Sequence, residues 1–204
     1  MMRTQVAGIL LDIDAVMVRP NDKFTWASGI QSPIYCDNRK IIGDVEARRA
    51  VATAFVDVIN EKFGSNVDVV AGTSTAGIPH AAFVSEQISL PMSYVRGSKK
   101  AHGTGSQIEG ADVNGKRVVL VEDLISTGGS SLEAVAALRA AGADVVGVVA
   151  IFTYELARAK ENFAQADVDV TILSDVSTLL ALSVERGELT DADVEEVKAF
   201  LGSL

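Results

Sequence analysis

The sequence is poor in cysteine, proline and aromatic residues. Among 204 residues it has one cysteine, four prolines and one tryptophan, and aromatic residues make up 5% of the chain. The lone cysteine, Cys36, forms no disulfide within the chain and has no neighbours at metal-ligand spacing, which excludes a disulfide scaffold and a cysteine-based zinc site. We therefore predict a protein of a reducing compartment, the cytoplasm, in which Cys36 serves packing or is a bystander.

Positive charge and long apolar runs are also scarce. Lysine and arginine total 18 against 27 aspartate and glutamate residues, so the formal net charge is -9. This excess of acid disfavours nucleic-acid or membrane-surface binding, because both need a basic face. The apolar run at residues 6–11 ends at Asp12 before any signal-type cleavage site, and no run approaches the length of a transmembrane helix. We predict neither a nucleic-acid nor a membrane partner.

Short valine-rich runs alternate with helical patterns through most of the chain. The runs at residues 67–71, 118–121, 145–152 and 170–173 are typical of strands buried on both faces of a parallel sheet. Helical spacing covers residues 45–59 after a predicted N-cap at Asp44, and also 78–88, 132–141, 157–166 and 191–200, the last with a capping box from Thr190 to Asp193. This alternation predicts one α/β domain over residues 1–204, a parallel sheet flanked by helices, with an irregular N-terminal flap at about 16–42.

A strand followed by a hydroxyl-rich and glycine-rich turn is the strongest local signal. Residues 118–121 lead into Glu122 and Asp123, and then into the turn Ser126-Thr127-Gly128-Gly129-Ser130 before a helix. Hydroxyls, glycine N–H groups and a helix N-terminus favour a phosphate there, whereas the acidic pair suits sugar hydroxyls or a bound magnesium ion. The plainer alternative is a strand end followed by an ordinary helix cap. A P-loop is absent, because no glycine-rich run ends in Gly-Lys-Ser/Thr.

A cluster of cations opens a long loop in this otherwise acidic chain. Arg96, Lys99, Lys100 and His102 lie within residues 95–103, at the start of a glycine-rich segment over about 97–115. Loops of this length are usually functional or disordered, so the segment is either a mobile lid over an anion or a solvated basic loop.

The run of residues 118–130 resembles the PRPP-binding signature of type I phosphoribosyltransferases. The resemblance implies that the acidic pair holds the ribose 2- and 3-hydroxyls, that the turn wraps the 5-phosphate, and that Mg²⁺ joins the diphosphate without a protein metal site. It assigns PRPP binding to Thr73, Ser74, Thr75, Arg96, Lys100, His102, Glu122, Asp123, Leu124, Ile125, Ser126, Thr127, Gly128, Gly129 and Ser130.

Three further segments resemble the orotate phosphoribosyltransferases of that family. The lid resembles their catalytic loop, residues 24–35 resemble their base-binding flap, and residues 73–79 resemble their diphosphate loop, in which a non-proline cis peptide at Ser74-Thr75 is expected. The resemblance implies transfer of the phosphoribosyl group from PRPP to orotate by a homodimer whose lid covers the partner's site. It assigns catalysis to Lys100, His102 and Asp123, and orotate binding to Phe24, Trp26, Ser28, Gly29 and Ser126.

The chain also departs from that pattern where the base should bind. Ala27 and Ala76 stand where many members have lysine, Gly97 replaces a basic residue, and the arginine often found near Tyr154 is missing. We therefore expect the orotate carboxylate to be held by flap N–H groups, by Ser126 or by Arg158. Transfer to another base, or a PRPP-sensing regulator without catalysis, are the alternative functions.

Overall fold

The computed structural model describes residues 2–25, 29–97 and 107–204, which form ten strands and eight helices. The strands are β1 (Val16–Val18), β2 (Phe24–Thr25), β3 (Gln31–Ser32), β4 (Ile34–Cys36), β5 (Val69–Thr73), β6 (Met92–Val95), β7 (Ile108–Gly110), β8 (Arg117–Ile125), β9 (Asp144–Thr153) and β10 (Val170–Asp175). The helices are α1 (Met2–Asp12), α2 (Lys40–Gly43), α3 (Val45–Phe63), α4 (Gly77–Ile88), α5 (Gly129–Ala140), α6 (Ala157–Gln165), α7 (Val176–Glu185) and α8 (Asp191–Gly202).

The central sheet has the strand order β10-β9-β8-β5-β6-β7. Neighbouring strands from β10 to β6 are parallel, and β7 alone pairs antiparallel, on the outer edge of β6. The four valine-rich runs lie in β5, β8, β9 and β10, which confirms those predicted strands. Strand β5 is buried along its whole length and β8 and β9 are mostly buried, as parallel strands covered by helices must be, whereas the first three residues of the edge strand β10 are half-buried. The α/β class with a mostly parallel sheet is confirmed.

Two hydrophobic layers lie on opposite faces of the sheet. One layer packs α1, α3, α4, α7 and α8 through residues such as Phe55 and Leu179, and the other packs α5 and α6 through Leu138 and Phe163. The predicted caps are confirmed: the Asp44 carboxylate accepts from Ala47 N at 2.9 Å, and Thr190 forms a capping box with Asp193. Within the described residues, no helix combines the length and apolarity that crossing a membrane requires.

Some elements differ from the sequence-based expectation. The helices α1 and α7, together with β6, were not predicted, because their short apolar runs lack a clear period. β7 lies inside the segment predicted as a lid, so part of residues 97–115 belongs to the sheet edge. Gly110 has φ +99°, and a Cβ there would lie 2.5 Å from Met92 O, so this glycine allows strand packing rather than loop motion.

The N-terminal flap is partly regular and forms a hood over one end of the sheet. Strand β1 pairs antiparallel with β4, and β2 pairs antiparallel with β3, within the segment that was expected to be irregular. Main-chain bonds from Arg19 N to Pro33 O and from Asp37 N to Ala15 O, each 2.7 Å, close the hood on itself. We use "hood" below for residues 16–25 and 29–39.

Candidate functional site

The candidate site lies where β5 and β8 end side by side. From β5 the chain continues to β6 on one side of the sheet and later to β8 on the other, so the two loops diverge and leave a crevice between them. Ligands of open α/β sheets bind at such switch points. A cleft of about 420 Å³ opens there, between the β5–α4 loop, the β8–α5 loop and the hood. Its size suits a small-molecule substrate.

The turn predicted to bind phosphate forms one wall of this cleft. Residues 126–131 lead into the N-terminus of α5 and line an adjoining depression of about 310 Å³. Gly128 has φ +82°, and a Cβ there would lie 2.7 Å from the ring of Phe163 on α6. Asn162, also on α6, donates to Thr127 O at 2.9 Å. The wall therefore combines hydroxyls, a helix N-terminus and a packed support, which together favour a phosphate.

The acidic pair occupies the base of the cleft. Glu122 is 5% exposed; its Oε2 accepts from Ser131 Oγ at 2.9 Å and its Oε1 accepts from Asp123 N at 3.0 Å. Burial, reinforced by the neighbouring Asp123, raises the pKa of the Glu122 carboxyl to about 8. Asp123 is half-buried and also lines the cleft. One carboxylate is thus available to a ligand, and the other is tied to the protein.

The β5–α4 loop forms the opposite side. The peptide bond between Ser74 and Thr75 is cis, which confirms the expectation for this loop. Ser74 N donates to Val95 O at 3.0 Å, and Thr73 Oγ1 is buried without a hydrogen-bond partner in the described part of the chain. A Cβ on Gly77 would lie 2.6 Å from Val121 O, so the glycine lets α4 begin directly against β8. Thr73, Ser74 and Thr75 all line the cleft.

The predicted lid begins beside a further depression of about 230 Å³. Arg96 lines this depression with Thr73 and Ser74, and its guanidinium lies 3.6 Å from Glu109. Arg96 N donates to Gln107 O at 2.8 Å, while Gln107 Nε2 donates back to Arg96 O at 2.9 Å. These bonds join Arg96 to Gln107, on either side of residues 98–106. The predicted catalytic residues Lys100 and His102 lie in that stretch, outside the described residues.

The hood forms the remaining wall and includes residues that sequence patterns did not single out. Cys36, Asp37 and Arg39 line the cleft. Asn38, buried beneath them, donates from Nδ2 to Asp123 O at 2.6 Å. Burial and the nearby Asp123 raise the pKa of the Cys36 thiol. The signal available in the sequence was the run at residues 36–39, which directly follows the segment that resembles the base-binding flap.

Only some of the residues predicted to bind the base lie at the cleft. Ser126 lines the cleft, whereas the ring of Phe24 packs 5.6 Å from the ring of Tyr35 with Arg19 5.1 Å above it, and does not line the cleft. Trp26, Ser28 and Ala27 lie outside the described residues. Gly29 is exposed, with φ +84°.

Burial and exposure decide whether two further residues near the expected base pocket can contact a base. Tyr154 is buried, and that burial raises the pKa of its phenol above the usual range. Arg158 lies on the exposed face of α6 and is not among the residues that line the cleft.

The switch point, the acidic pair and the turn that favours a phosphate are together typical of the phosphoribosyltransferase class. A family model described as phosphoribosyl transferase domain matches residues 39–178. The chain therefore belongs to the phosphoribosyltransferase family.

Named relatives narrow the class further. The chain is 55% identical over 194 residues to the orotate phosphoribosyltransferase of Staphylococcus haemolyticus, covering 95% of this chain and 96% of that protein. The orotate phosphoribosyltransferase structure from Aeropyrum pernix has a TM-score of 0.76 at 27% identity, with 91% of this chain and 99% of that chain covered. UMP synthase of Leishmania donovani has a TM-score of 0.81 at 30% identity and 98% coverage of this chain, which corresponds to 42% of that longer protein. Within the family, the chain groups with the orotate phosphoribosyltransferases.

Proposed function

We propose that the protein transfers the phosphoribosyl group of PRPP to orotate. In this reaction the bond from the anomeric carbon to the diphosphate breaks, a bond to N1 of orotate forms, and the N1 proton is released. The products are orotidine 5-monophosphate and diphosphate. The single observation that carries the proposal is the acidic pair near the end of β8, followed by the turn that leads into α5, and a named relative at 55% identity supports it.

Each wall of the cleft has a task in this reaction. The turn at residues 126–130 binds the 5-phosphate, Asp123 accepts from the ribose hydroxyls, and residues 73–75 with Arg96 receive the diphosphate. Holding both reactants in line supplies much of the rate enhancement, and cations neutralise the charge that grows on the departing diphosphate. We assign that neutralisation to Lys100, His102 and Arg96, with His102 also a candidate acid.

Mg²⁺ fits a site of this kind as part of the substrate complex. Among the described residues, no group of three or more histidine, cysteine or carboxylate side chains could hold a metal ion. Magnesium commonly binds through one or two carboxylates together with substrate phosphates. Asp123 is the residue that would contact it, and the ion would neutralise diphosphate oxygens.

The experiment that tests the function is a panel of bases. Orotate, uracil, adenine and hypoxanthine are each supplied with PRPP, with and without Mg²⁺, and diphosphate release is followed. We expect metal-dependent release with orotate. Turnover of adenine or hypoxanthine without turnover of orotate would instead support a phosphoribosyltransferase for another base, and PRPP binding without turnover of any base would support a regulator.

We also propose a homodimer whose lid covers the partner's site, in the cytoplasm. The free thiol of Cys36 beside Asp123 fits a reducing compartment. The dimer is tested by mixing Lys100→Ala and Asp123→Asn chains, because a hybrid then carries both lesions in one site and leaves its other site whole. Random pairing makes about half the dimers hybrid, so roughly a quarter of wild-type activity should return. Activity no higher than the mean of the two variants, with subunit exchange confirmed, would contradict the shared site.

A further inference from the structure

The hood brings one cation into the cleft at a position that no sequence pattern indicated. Arg39 directly precedes α2 and lines the cleft together with Asp123 and Ser126. Its side chain is 65% exposed, so the guanidinium is accessible to a ligand.

A neighbouring carboxylate orients this guanidinium and leaves its outer end available. Asp37 Oδ1 accepts from Arg39 Nε at 2.5 Å and from Arg39 N at 3.3 Å. The hydrogen bond from the Arg39 side chain lowers the pKa of Asp37, so the pair is ionised at neutral pH. Within the described ranges, the terminal nitrogens Nη1 and Nη2 make no hydrogen bond. An arginine fork offers two parallel donors to a carboxylate at that end.

The other charges around the cleft make Arg39 distinctive. The remaining ionised or ionisable acids that line it are Asp37, Glu122 and Asp123, and no second lysine or arginine lines it in the described part of the chain. Arg96 lines the neighbouring depression and lies near Glu109. Ala76 and the buried Tyr154 carry no positive charge, and Arg158 is exposed on α6 and does not line the cleft. An anionic base therefore meets its cationic partner on the hood.

We propose that Arg39 binds the carboxylate of the base substrate and thereby selects an acidic pyrimidine over a neutral one. The inference rests on the proposed function and deepens it. Asp37 is then a positioning residue, since it holds Nε while the terminal nitrogens contact the substrate. A neutral base of the same shape leaves the arginine without its partner, which is how a polar site rejects an analogue that lacks one group.

The test compares Arg39→Gln with wild type on two ligands that differ in charge. Orotate is used as substrate, and orotamide, the neutral amide of the same ring, is used as a competitive inhibitor. We expect kcat/KM for orotate to fall roughly 100-fold, about 2.7 kcal/mol at 1.36 kcal/mol per factor of ten, mainly through KM. The KM for PRPP and the inhibition constant for orotamide should change less than about threefold. Arg39→Lys should recover part of the loss, because it keeps the charge but not the fork.

Two further variants test whether Arg39, rather than another residue, binds the carboxylate. Asp37→Asn should raise the KM for orotate roughly fivefold by loosening the guanidinium, and Arg158→Gln should leave it unchanged. Three results would each overturn the inference while wild type still uses orotate. They are equal losses for orotate and orotamide in Arg39→Gln, an unchanged KM for orotate in that variant, and a large rise in the KM for orotate in Arg158→Gln. Failure of wild type to use orotate would overturn the proposed function itself. Thermal unfolding of each variant, with the same Tm as wild type, confirms that the folds are comparable.

Discussion

The two walls of the cleft are held by the same kind of bond but are built differently. The phosphate wall is tied down by Asn162 on α6, which donates to Thr127 O at 2.9 Å, and the hood wall by Asn38, which donates to Asp123 O at 2.6 Å. One bond thus fastens the last part of β8, and the other fastens the loop that leads from β8 to α5. Asn38 is 1% exposed and its Oδ1 has no partner in the described residues, whereas Asn162 is half-buried.

The surroundings of the two anchors show that the two walls are packed differently. The phosphate wall continues into α5 and rests on the packed ring of Phe163, and Arg139 near the end of α5 donates to Ala166 O and Asp167 O, each at 2.8 Å. Both ends of α5 are therefore joined to the C-terminal half of α6 and the residues that follow it. The hood has strands of only two or three residues and pairs mainly with itself. The wall proposed to bind phosphate is fixed by layered packing, and the wall proposed to admit the base depends on a few polar bonds.

Gly128→Ala should have the largest effect, because it damages the packed wall at its tightest point. Alanine at this position would have to keep a left-handed backbone conformation, and its Cβ would lie 2.7 Å from the Phe163 ring. We expect the free energy of unfolding to fall by about 3 kcal/mol and the KM for PRPP to rise more than about tenfold. Urea denaturation and steady-state kinetics measure both. The matched control is Gly129→Ala, where a Cβ meets nothing closer than Thr127 Oγ1 at 3.9 Å, and equal losses in both variants would refute the packing explanation.

Asn38→Ala tests the hood anchor. Loss of a buried donor leaves Asp123 O without this partner, so we expect about 2 kcal/mol lower stability and a raised KM for both substrates. The exposed neighbouring helix residue Lys40, replaced by alanine, serves as the control, since its bond to Asp14 O at 3.1 Å is exposed. If Asn38→Ala leaves the KM for PRPP unchanged, the hood does not act through Asp123 as described.

Glu122→Gln tests the buried acid between the walls by its pH dependence. Folding raises the pKa of Glu122, so the native state binds more protons than the unfolded state between the ordinary carboxyl pKa and about 8. Stability from this group is therefore present at low pH and lost as pH rises through about 8. We expect wild type to lose on the order of 2 kcal/mol relative to Glu122→Gln between pH 5 and pH 9. Parallel pH curves for the two proteins would show that Glu122 is ionised throughout.

Asn162→Ala should give the smallest effect of the series. Its bond to Thr127 O is half-exposed, so water replaces part of it, and we expect about 1 kcal/mol lower stability. The KM for PRPP should rise roughly fivefold with kcat within about twofold, because the turn is proposed to bind the phosphate and to take no part in bond breaking. Gln165→Ala, an exposed change on the same helix, is the control. A loss larger than that of Asn38→Ala would reverse the ranking of the two walls.

Local patterns in the sequence predicted the parts of this protein that are locally determined. The valine-rich strands, the caps at Asp44 and Thr190, and the turn at residues 126–130 are each specified by consecutive residues, so their periodicity or chemistry is visible without a fold. The resemblance to known enzymes added the cis bond at Ser74-Thr75 and the assignment of the acidic pair. The strands β6 and β7 were not predicted, because three or four residues carry too little pattern, and the longer helix α1 was not predicted because its apolar run lacks a clear period.

Only the tertiary structure decided which distant residues meet. Asn38 reaches Asp123 across 85 residues of chain, and Asn162 reaches Thr127 across 35. The burial of Glu122 likewise arises from the neighbouring strands and α5 rather than from its own segment. The sequence alone determined the phosphate turn and the acidic pair, since their chemistry lies in adjacent residues. Placement of Arg39 in the cleft required the hood to fold back onto the sheet, because no local pattern encodes a contact between segments so far apart.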